Sequence, residues 1–341
     1  MNVLLTCAGR RNYLIAYFKE ALGGRGEVYV TDNDPFASAL QEADKGFTIP
    51  LVDHPSYIEE LLSICSKHQV NLIIPLNDME LPILAQAKQL FHDVGTIPVV
   101  SSLEVINTCW DKCLTLRFAQ DHAILTPLTF LTIESLHQAL NFKQISFPLI
   151  VKPRCGTASI GIWVCNDKEE LELSYRLARK QMPLKLSKGC DSIVVEGTVL
   201  IQEMLSGKEY GLDVINDLKG NHVCTFVKQK LAMRAGETDK AKSVAHLELA
   251  RLGETIGQGL GHVGVLDCDV FVNDNGIYLL EMNPRFGGGY PFSHIAGANI
   301  PAALIAWAEG REPDPSYFQM KPGVSAAKCD RMVISQVRQF D

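Results

Sequence analysis

The stretch from Leu266 to Asn283 constrains this chain more than any other. It reads Leu-Asp-Cys-Asp-Val-Phe-Val, then Asn-Asp-Asn-Gly, then Ile-Tyr-Leu-Leu-Glu-Met-Asn. Two apolar runs flank a turn signal rich in Asn, Asp and Gly, which is the pattern of a β-hairpin. Two loops compete. A two-residue Asn275-Gly276 turn sets Asp269 opposite Met282. A three-residue Asp274-Asn275-Gly276 loop, with Gly276 in the left-handed position, sets Asp269 opposite Glu281. Directly opposed residues share a face. Only the second arrangement separates the chemistry. It puts Asp267, Asp269, Glu281 and Asn283 on one face and Cys268, Val270, Val272, Tyr278, Leu280 and Met282 on the other. The three-residue loop is therefore expected. Neighbouring carboxylates repel unless a cation lies between them. Two carboxylates and an amide suit a hard cation, Mg²⁺ or Mn²⁺. The solvated face of an edge hairpin would carry the same residues.

The first hundred residues alternate strand and helix signals. Val3–Thr6, Val28–Thr31 and Leu72–Pro75 are short apolar runs. Helical patterns lie between them, from Asn12 to Leu22 and after Ser56. Ser56 and Glu59 have capping-box spacing, and Ile58, Leu61, Leu62 and Cys65 supply that helix's apolar face. This β-α-β-α-β order predicts a parallel, doubly wound sheet. Such sheets bind ligands beyond the carboxyl ends of their strands, where Arg10, Arg11, Asn12, Asp32, Asp78 and Glu80 fall. From Phe147 onward most apolar runs read as strands, interrupted by helices near Glu169–Lys180 and Val244–Leu260. That half is expected to be α+β. Asp111 is placed to cap a helix beginning at Lys112.

Composition narrows the function. The chain has 341 residues, enough for two domains, and a net charge of −7. It carries no long basic run, so a nucleic-acid backbone is a poor partner. No apolar run approaches the roughly 18 residues of a membrane span. The start lacks a basic region before its apolar stretch, and a cytoplasmic protein is expected. The ten cysteines are scattered without a Cys-x-x-Cys pair, as expected of reduced, buried thiols. Gly259-x-Gly261-x-x-Gly264 matches the dinucleotide fingerprint in letters only, because it follows a helix and precedes a strand.

Three further elements stand out. In Ile150–Ile162 a Lys closes a buried strand and a small, Gly-containing loop follows, of the kind that donates backbone amides to phosphates. In Val199–Tyr210 an apolar strand runs into Glu203-Met204-Leu205, offering an edge to a planar base, with Glu209 beyond. Residues 228–237 are rich in charge, and Lys230 and Arg234 there suit a substrate carboxylate or a phosphate. After the hairpin comes Pro284-Arg285, a planar cationic fork, and then Gly287-Gly288-Gly289, which permits close backbone approach to a ligand.

In this order, Lys112, Lys152 with its loop, Gln202 to Leu205, Glu209, Asp269 and Glu281-Met282-Asn283-Pro284-Arg285 resemble the ATP-grasp superfamily. The resemblance is to the branch of the carbamoyl-phosphate synthetase large subunit, with one grasp unit where that synthetase carries two. It implies a Rossmann-like pre-ATP-grasp domain over residues 1–105. An ATP-grasp domain would follow over 106–330, with a lid at about 115–198, and then a tail over 331–341. It implies that Lys112 and Lys152 contact ATP phosphates under a lid loop containing Gly156 and Ser159. Glu203 and Leu205 would meet adenine, and Glu209 the ribose. Asp269, Glu281 and Asn283 would hold Mg²⁺ (or Mn²⁺), and Arg285 would steady the transferred phosphoryl group. Arg10, Lys230, Arg234 and Gly288 are candidates for the substrate side. The expected function is ATP-dependent ligation of a small carboxylate, such as an amino acid, to an amine through an acyl phosphate. Phosphoryl transfer of kinase or carbamoyl-phosphate type is the alternative, as is a non-catalytic ATP-binding subunit. A homodimer is compatible with this reading.

Overall fold

The computed structural model describes residues 1–156, 161–181 and 197–335. The strands β1 (Asn2–Thr6), β2 (Val28–Asp32), β3 (Lys45–Thr48), β4 (Val70–Pro75) and β5 (Ile97–Pro98) form a parallel sheet in the order β3-β2-β1-β4-β5. Both faces are buried, as parallel sheets require. Val3 and Leu5 of β1 enter one apolar cluster with the helix Asn12–Leu22, and Leu4 enters another with the helix Tyr57–Lys67. The helix Asn12–Leu22 has the bounds its apolar spacing predicts, and Gly23 ends it in the left-handed region. The capping box at Ser56 does not form. Ser56 Oγ bonds His54 Nδ1 at 2.8 Å instead, and no side chain caps the helix. A local partner two residues back outcompetes the amide ahead.

A second, antiparallel sheet joins β6 (Thr129–Phe130), β7 (Leu149–Pro153), β8 (Trp163–Cys165) and β9 (Val199–Glu203) in the order β6-β9-β7-β8. The helices Ile133–Asn141 and Lys168–Gln181 contribute Leu136, Ala139, Leu171 and Ala178 to its apolar cluster. The third sheet contains β10 (Lys208–Asn216), β11 (His222–Arg234), β12 (Glu237–Ser243), β13 (Gly264–Asn273), β14 (Gly276–Asn283) and β15 (Ser325–Ala327), ordered β14-β13-β10-β11-β12-β15. The helix Leu247–Leu260 packs on it, ending at Gly261 in the left-handed region. Gly261 is thus a helix C-cap, and the dinucleotide fingerprint has no counterpart here. The charge-rich segment 228–237 is mostly strand: β11 runs to Arg234, and Ala235-Gly236, both at positive φ, turn it into β12.

The hairpin β13–β14 has the expected facing by an unexpected route. Asp269 lies opposite Glu281 and Asp267 opposite Asn283. The loop, however, is the two-residue Asp274-Asn275, because Asn273 pairs with Gly276. Asn273 Oδ1 accepts from the Asn275 amide at 2.9 Å and closes the turn. The register then shifts between Val270 and Asp269, leaving Leu280 as an extra residue on β14. Ile277 and Leu279 take the core places predicted for Tyr278 and Leu280, and Leu280 lines a cleft instead.

Asp111 joins two sheets' worth of structure. Its Oδ1 accepts from the Cys113 amide at 2.9 Å and caps the helix Lys112–Asp121, as predicted. Both its oxygens also receive Arg154, at 2.7 and 2.6 Å. Asp111→Ala removes cap and ion pair together and is expected to destabilise the fold by about 1–3 kcal/mol. Asp111→Asn, which keeps the cap acceptor, should fall between it and the wild type in the calorimetric midpoint.

Candidate active site

A cleft of about 600 Å³ opens where the three sheets meet. Arg11, Asn77 and Asp78 reach it from the carboxyl ends of the parallel strands. Lys152, Gln202 and Glu203 come from the four-stranded sheet. Glu209, Lys230, Asp267, Asp269, Glu281 and Asn283 come from the six-stranded sheet, with Arg285, Gly288 and Gly289 following.

The hairpin's acidic face lines this cleft. Burial is the largest cause lifting the Asp269 carboxyl above its ordinary range; Lys230 opposes it, and Asp267 and Glu281 add to it. Lys230 Nζ bridges Asp269 at 2.6 Å and Glu209 at 2.8 Å. Burial works to lower the Lys230 pKa, but the two carboxylates outweigh it and hold the ammonium above the usual lysine range. Asn283 Nδ2 lies 3.5 Å from Glu281 Oε1. Among the described residues, no three His, Cys, Asp or Glu side chains converge on one point as a ready-made metal site. The donor chemistry nevertheless fits a hard cation: oxygens of Asp269, Glu281 and Asn283 share a face that already draws in an ammonium.

Arg285 is nearly enclosed and forks between two carboxylates. Its Nη2 donates to Asp78 Oδ2 at 3.0 Å and its Nη1 to Asp267 Oδ2 at 3.3 Å. The turn that follows fits tightly. A Cβ on Gly287 would lie 2.2 Å from Asp267 Cγ, and one on Gly289 would lie 2.5 Å from Lys228 Cε. Lys228 is itself buried and paired with Asp213 at 2.7 Å. Gly288 lies beside Glu237, which holds Lys328 at 2.9 Å.

Lys152 is the penultimate residue of β7 and is 7% exposed. Burial first, then the neighbouring Lys112 cation, lowers its pKa to about 8, with Glu281 opposing. Lys112 Nζ donates to the Gly156 carbonyl at 3.3 Å, tying the helix start to the loop. Ser159 lies outside the described residues. Glu203 and Leu205 line the cleft, and the Glu203 carboxylate accepts the Leu128 amide at 2.8 Å. Glu209 is engaged by Lys230. Arg234 stands away from the cleft on the β11–β12 turn, paired with Asp239 and Asp330 at 2.9 and 2.6 Å. Arg10 is exposed and does not line the cleft. Its neighbour Arg11 does, with Nη1 bonded to the Leu76 carbonyl. The sequence placed both arginines at a strand end, and adjacent loop residues carry no facing signal that separates them. Asp78, placed at a strand end by the sequence, lines the cleft, as do Asn77 and Glu237, which were not singled out. For Asp78 the available signal was its place after a parallel strand.

A doubly wound parallel sheet is followed by two antiparallel sheets, and the three close on a polar cleft lined by both acidic and basic side chains. Residues 109–289 match the ATP-grasp domain family and residues 3–100 the PylC-like N-terminal domain. The chain belongs to the ATP-grasp family. It is 26% identical over 189 residues to D-alanine–D-alanine ligase of Fusobacterium nucleatum, covering 52% of this chain and 56% of that one. It is 25% identical over 295 residues to 3-methyl-D-ornithine–L-lysine ligase of Methanosarcina acetivorans, covering 84% and 68%. The chain thus spans little more than half the length of the first ligase, and it spans 7% of an acetyl-CoA carboxylase of a Cryptosporiopsis species that it also matches. L-amino acid ligase from Bacillus licheniformis has a similar structure, with a TM-score of 0.71 at 19% identity, covering 95% of this chain and 78% of that one. No described helix is long and apolar enough to cross a membrane.

A pH titration of the Lys152 side chain by NMR should find a midpoint near 8. Lys112→Met removes a like charge and should move that midpoint upward. A midpoint unmoved by the substitution would refute the coupling between the two lysines.

Proposed function

We propose that this chain is an ATP-dependent carboxylate–amine ligase acting through an acyl phosphate. The observation that carries the reading is the one cleft where Lys152, the acidic hairpin face and Arg285 meet the carboxyl ends of the parallel sheet. Membership of the ATP-grasp family and similarity to two amino-acid ligases support it. In this reading residues 1–105 serve the substrates, residues 106–330 the nucleotide, and about 115–198 act as lid.

Lys112 and Lys152 hold the nucleotide's phosphates, with Gly156, whose carbonyl Lys112 meets, beside them. Glu203 and Leu205 border the base, and Glu209 is placed for the ribose once Lys230 releases it. Asp269, Glu281 and Asn283 would hold Mg²⁺, which supplies charge neutralisation for the phosphates. An oxygen of the acid attacks the γ-phosphorus. The bond from that phosphorus to the bridging oxygen breaks, and ADP leaves. The amine's lone pair then attacks the acyl carbon, its proton passes to solvent, and the carbon–oxygen bond to phosphate breaks. No protein nucleophile is needed; positioning and charge do the work. Arg285 neutralises charge on the transferred group. Lys230 and Gly288, which line the cleft, are assigned to the substrate side, as is Arg11, which lines it where Arg10 does not.

The test is a coupled ADP-release assay with Mg-ATP across amino acids, other small acids and bicarbonate, with and without amines. Release that needs both an acid and an amine supports a ligase. Release with acid alone supports kinase-type transfer, and absence of release with every pair overturns the proposal. Glu281→Gln should lower turnover by about 10²-fold or more. Lys152→Ala should raise the KM for ATP by about 10-fold, the weight of one charge-assisted contact.

A further inference from the structure

We infer that Asp78, in the N-terminal sheet's loop, is a positioning residue that sets the guanidinium of Arg285 from across the cleft. The inference rests on the ligase reading for what Arg285 does, but not for how it is held.

Arg285 follows the hairpin by two residues, so its own hairpin supplies one carboxylate, Asp267, at 3.3 Å. The closer carboxylate, at 3.0 Å, comes from Asp78, distant in sequence and on another sheet. A guanidinium held at one end swings about that contact. Held at both ends of its fork, its plane is set. Both partners are nearly buried, with side-chain exposures of 11% and 10% for Arg285 and Asp78, so water is a poor substitute for either.

The Asp78 loop is itself anchored from below. Glu80 is fully buried, and its Oε1 accepts the backbone amides of Leu76 and Asn77 at 2.9 and 3.0 Å. Arg11 takes the Leu76 carbonyl. The amide and the carbonyl of the residue ending the approach to Asp78 are therefore both fixed by side chains, which is more than loop geometry alone requires. Rigid support under a residue that touches the fork is what precise placement needs. In this arrangement the parallel sheet does more than present substrate. It aims the cation that faces the reacting groups.

Asp78→Asn keeps size and loses the charge. In the full-length chain, with the acid and amine found by ADP release, kcat is expected to fall about 10–100-fold, because a misplacement near 1 Å costs on that order. The KM values for ATP and acid should change less than about threefold, the signature of an interaction acting on the reacting state. Asp78→Asn combined with Arg285→Lys should be no slower than Arg285→Lys alone, because the first acts through the second. Asp78→Glu should restore part of kcat. Effects that multiply, or a raised KM for the acid at unchanged kcat, would overturn the inference and make Asp78 a substrate contact. Placement is read separately from activity by the Arg285 Nε–H resonance. Its exchange with solvent should be slow in the wild type and fast in Asp78→Asn. An unchanged rate refutes the positioning role whatever the chemistry, whereas an inactive wild type with the expected exchange change refutes only the ligase reading.

Discussion

Crowding of carboxylates on one sheet face is the constraint around which this molecule is arranged. The pleat places Asp267, Asp269, Glu281 and Asn283 on one side of β13–β14 while Cys268, Val270 and Met282 bury in the core. Such a face is unfavourable alone, since each charge raises the cost of the next. The structure answers with cations drawn from elsewhere in the chain: Lys230 from β11 onto Asp269, and Arg285 onto Asp267. Each cation in turn engages a carboxylate outside the hairpin, Glu209 or Asp78. The acidic face is thereby stitched to β10 and to the parallel sheet, and the position of the cleft follows.

The glycine turn after Arg285 answers the same constraint sterically. Asp267 fills the space where a Gly287 side chain would go, and Lys228 fills the space at Gly289. Lys228 and Asp213 lie beneath as a fully buried pair, with Ser293 donating to Asp213. Removing one member leaves an uncompensated charge in the core, so the pair ties the turn to the sheet under it. Backbone can approach the cleft here because side chains from two other strands already occupy the space behind it.

What was legible in the sequence was what depends on neighbours in sequence. Period-two alternation showed that Asp267, Asp269, Glu281 and Asn283 share a face, but with the loop misread it gave Tyr278 and Leu280 the core places that Ile277 and Leu279 take. Facing is imposed by burial, and a bulge at Leu280 reconciled it with the tighter turn that Asn273 closes. The βαβ order placed Asp78 at a strand end for the same local reason. Legibility failed where the decision was non-local. Arg10 and Arg11 are indistinguishable until the Leu76 carbonyl claims one of them. Lys230 and Arg234 look alike in a charged run. Yet the first points at Asp269 and the second at Asp239 and Asp330, which lie outside the cleft. The strand β12, Glu-Thr-Asp-Lys-Ala-Lys-Ser, has too little apolar content to announce itself, and it exists because β11 and β15 flank it.

The two lysines of the cleft show how one residue type is given opposite tasks by its surroundings. Burial disfavours the charge of both. For Lys152 burial, with the Lys112 cation adding to it, outweighs Glu281, so its pKa falls to about 8. For Lys230 two carboxylates overcompensate, and its proton is firmly held. In the proposed ligase reading an anion entering the cleft would gain from Lys152 at once, because it would offset both the burial and the repulsion from Lys112. It recruits Lys230 only if another positive charge takes over Asp269, since otherwise the carboxylate is left buried beside Asp267 and Glu281. Burial and neighbours thus set the two lysines apart: among the described residues Lys152 forms no ion pair, whereas Lys230 is held by two carboxylates.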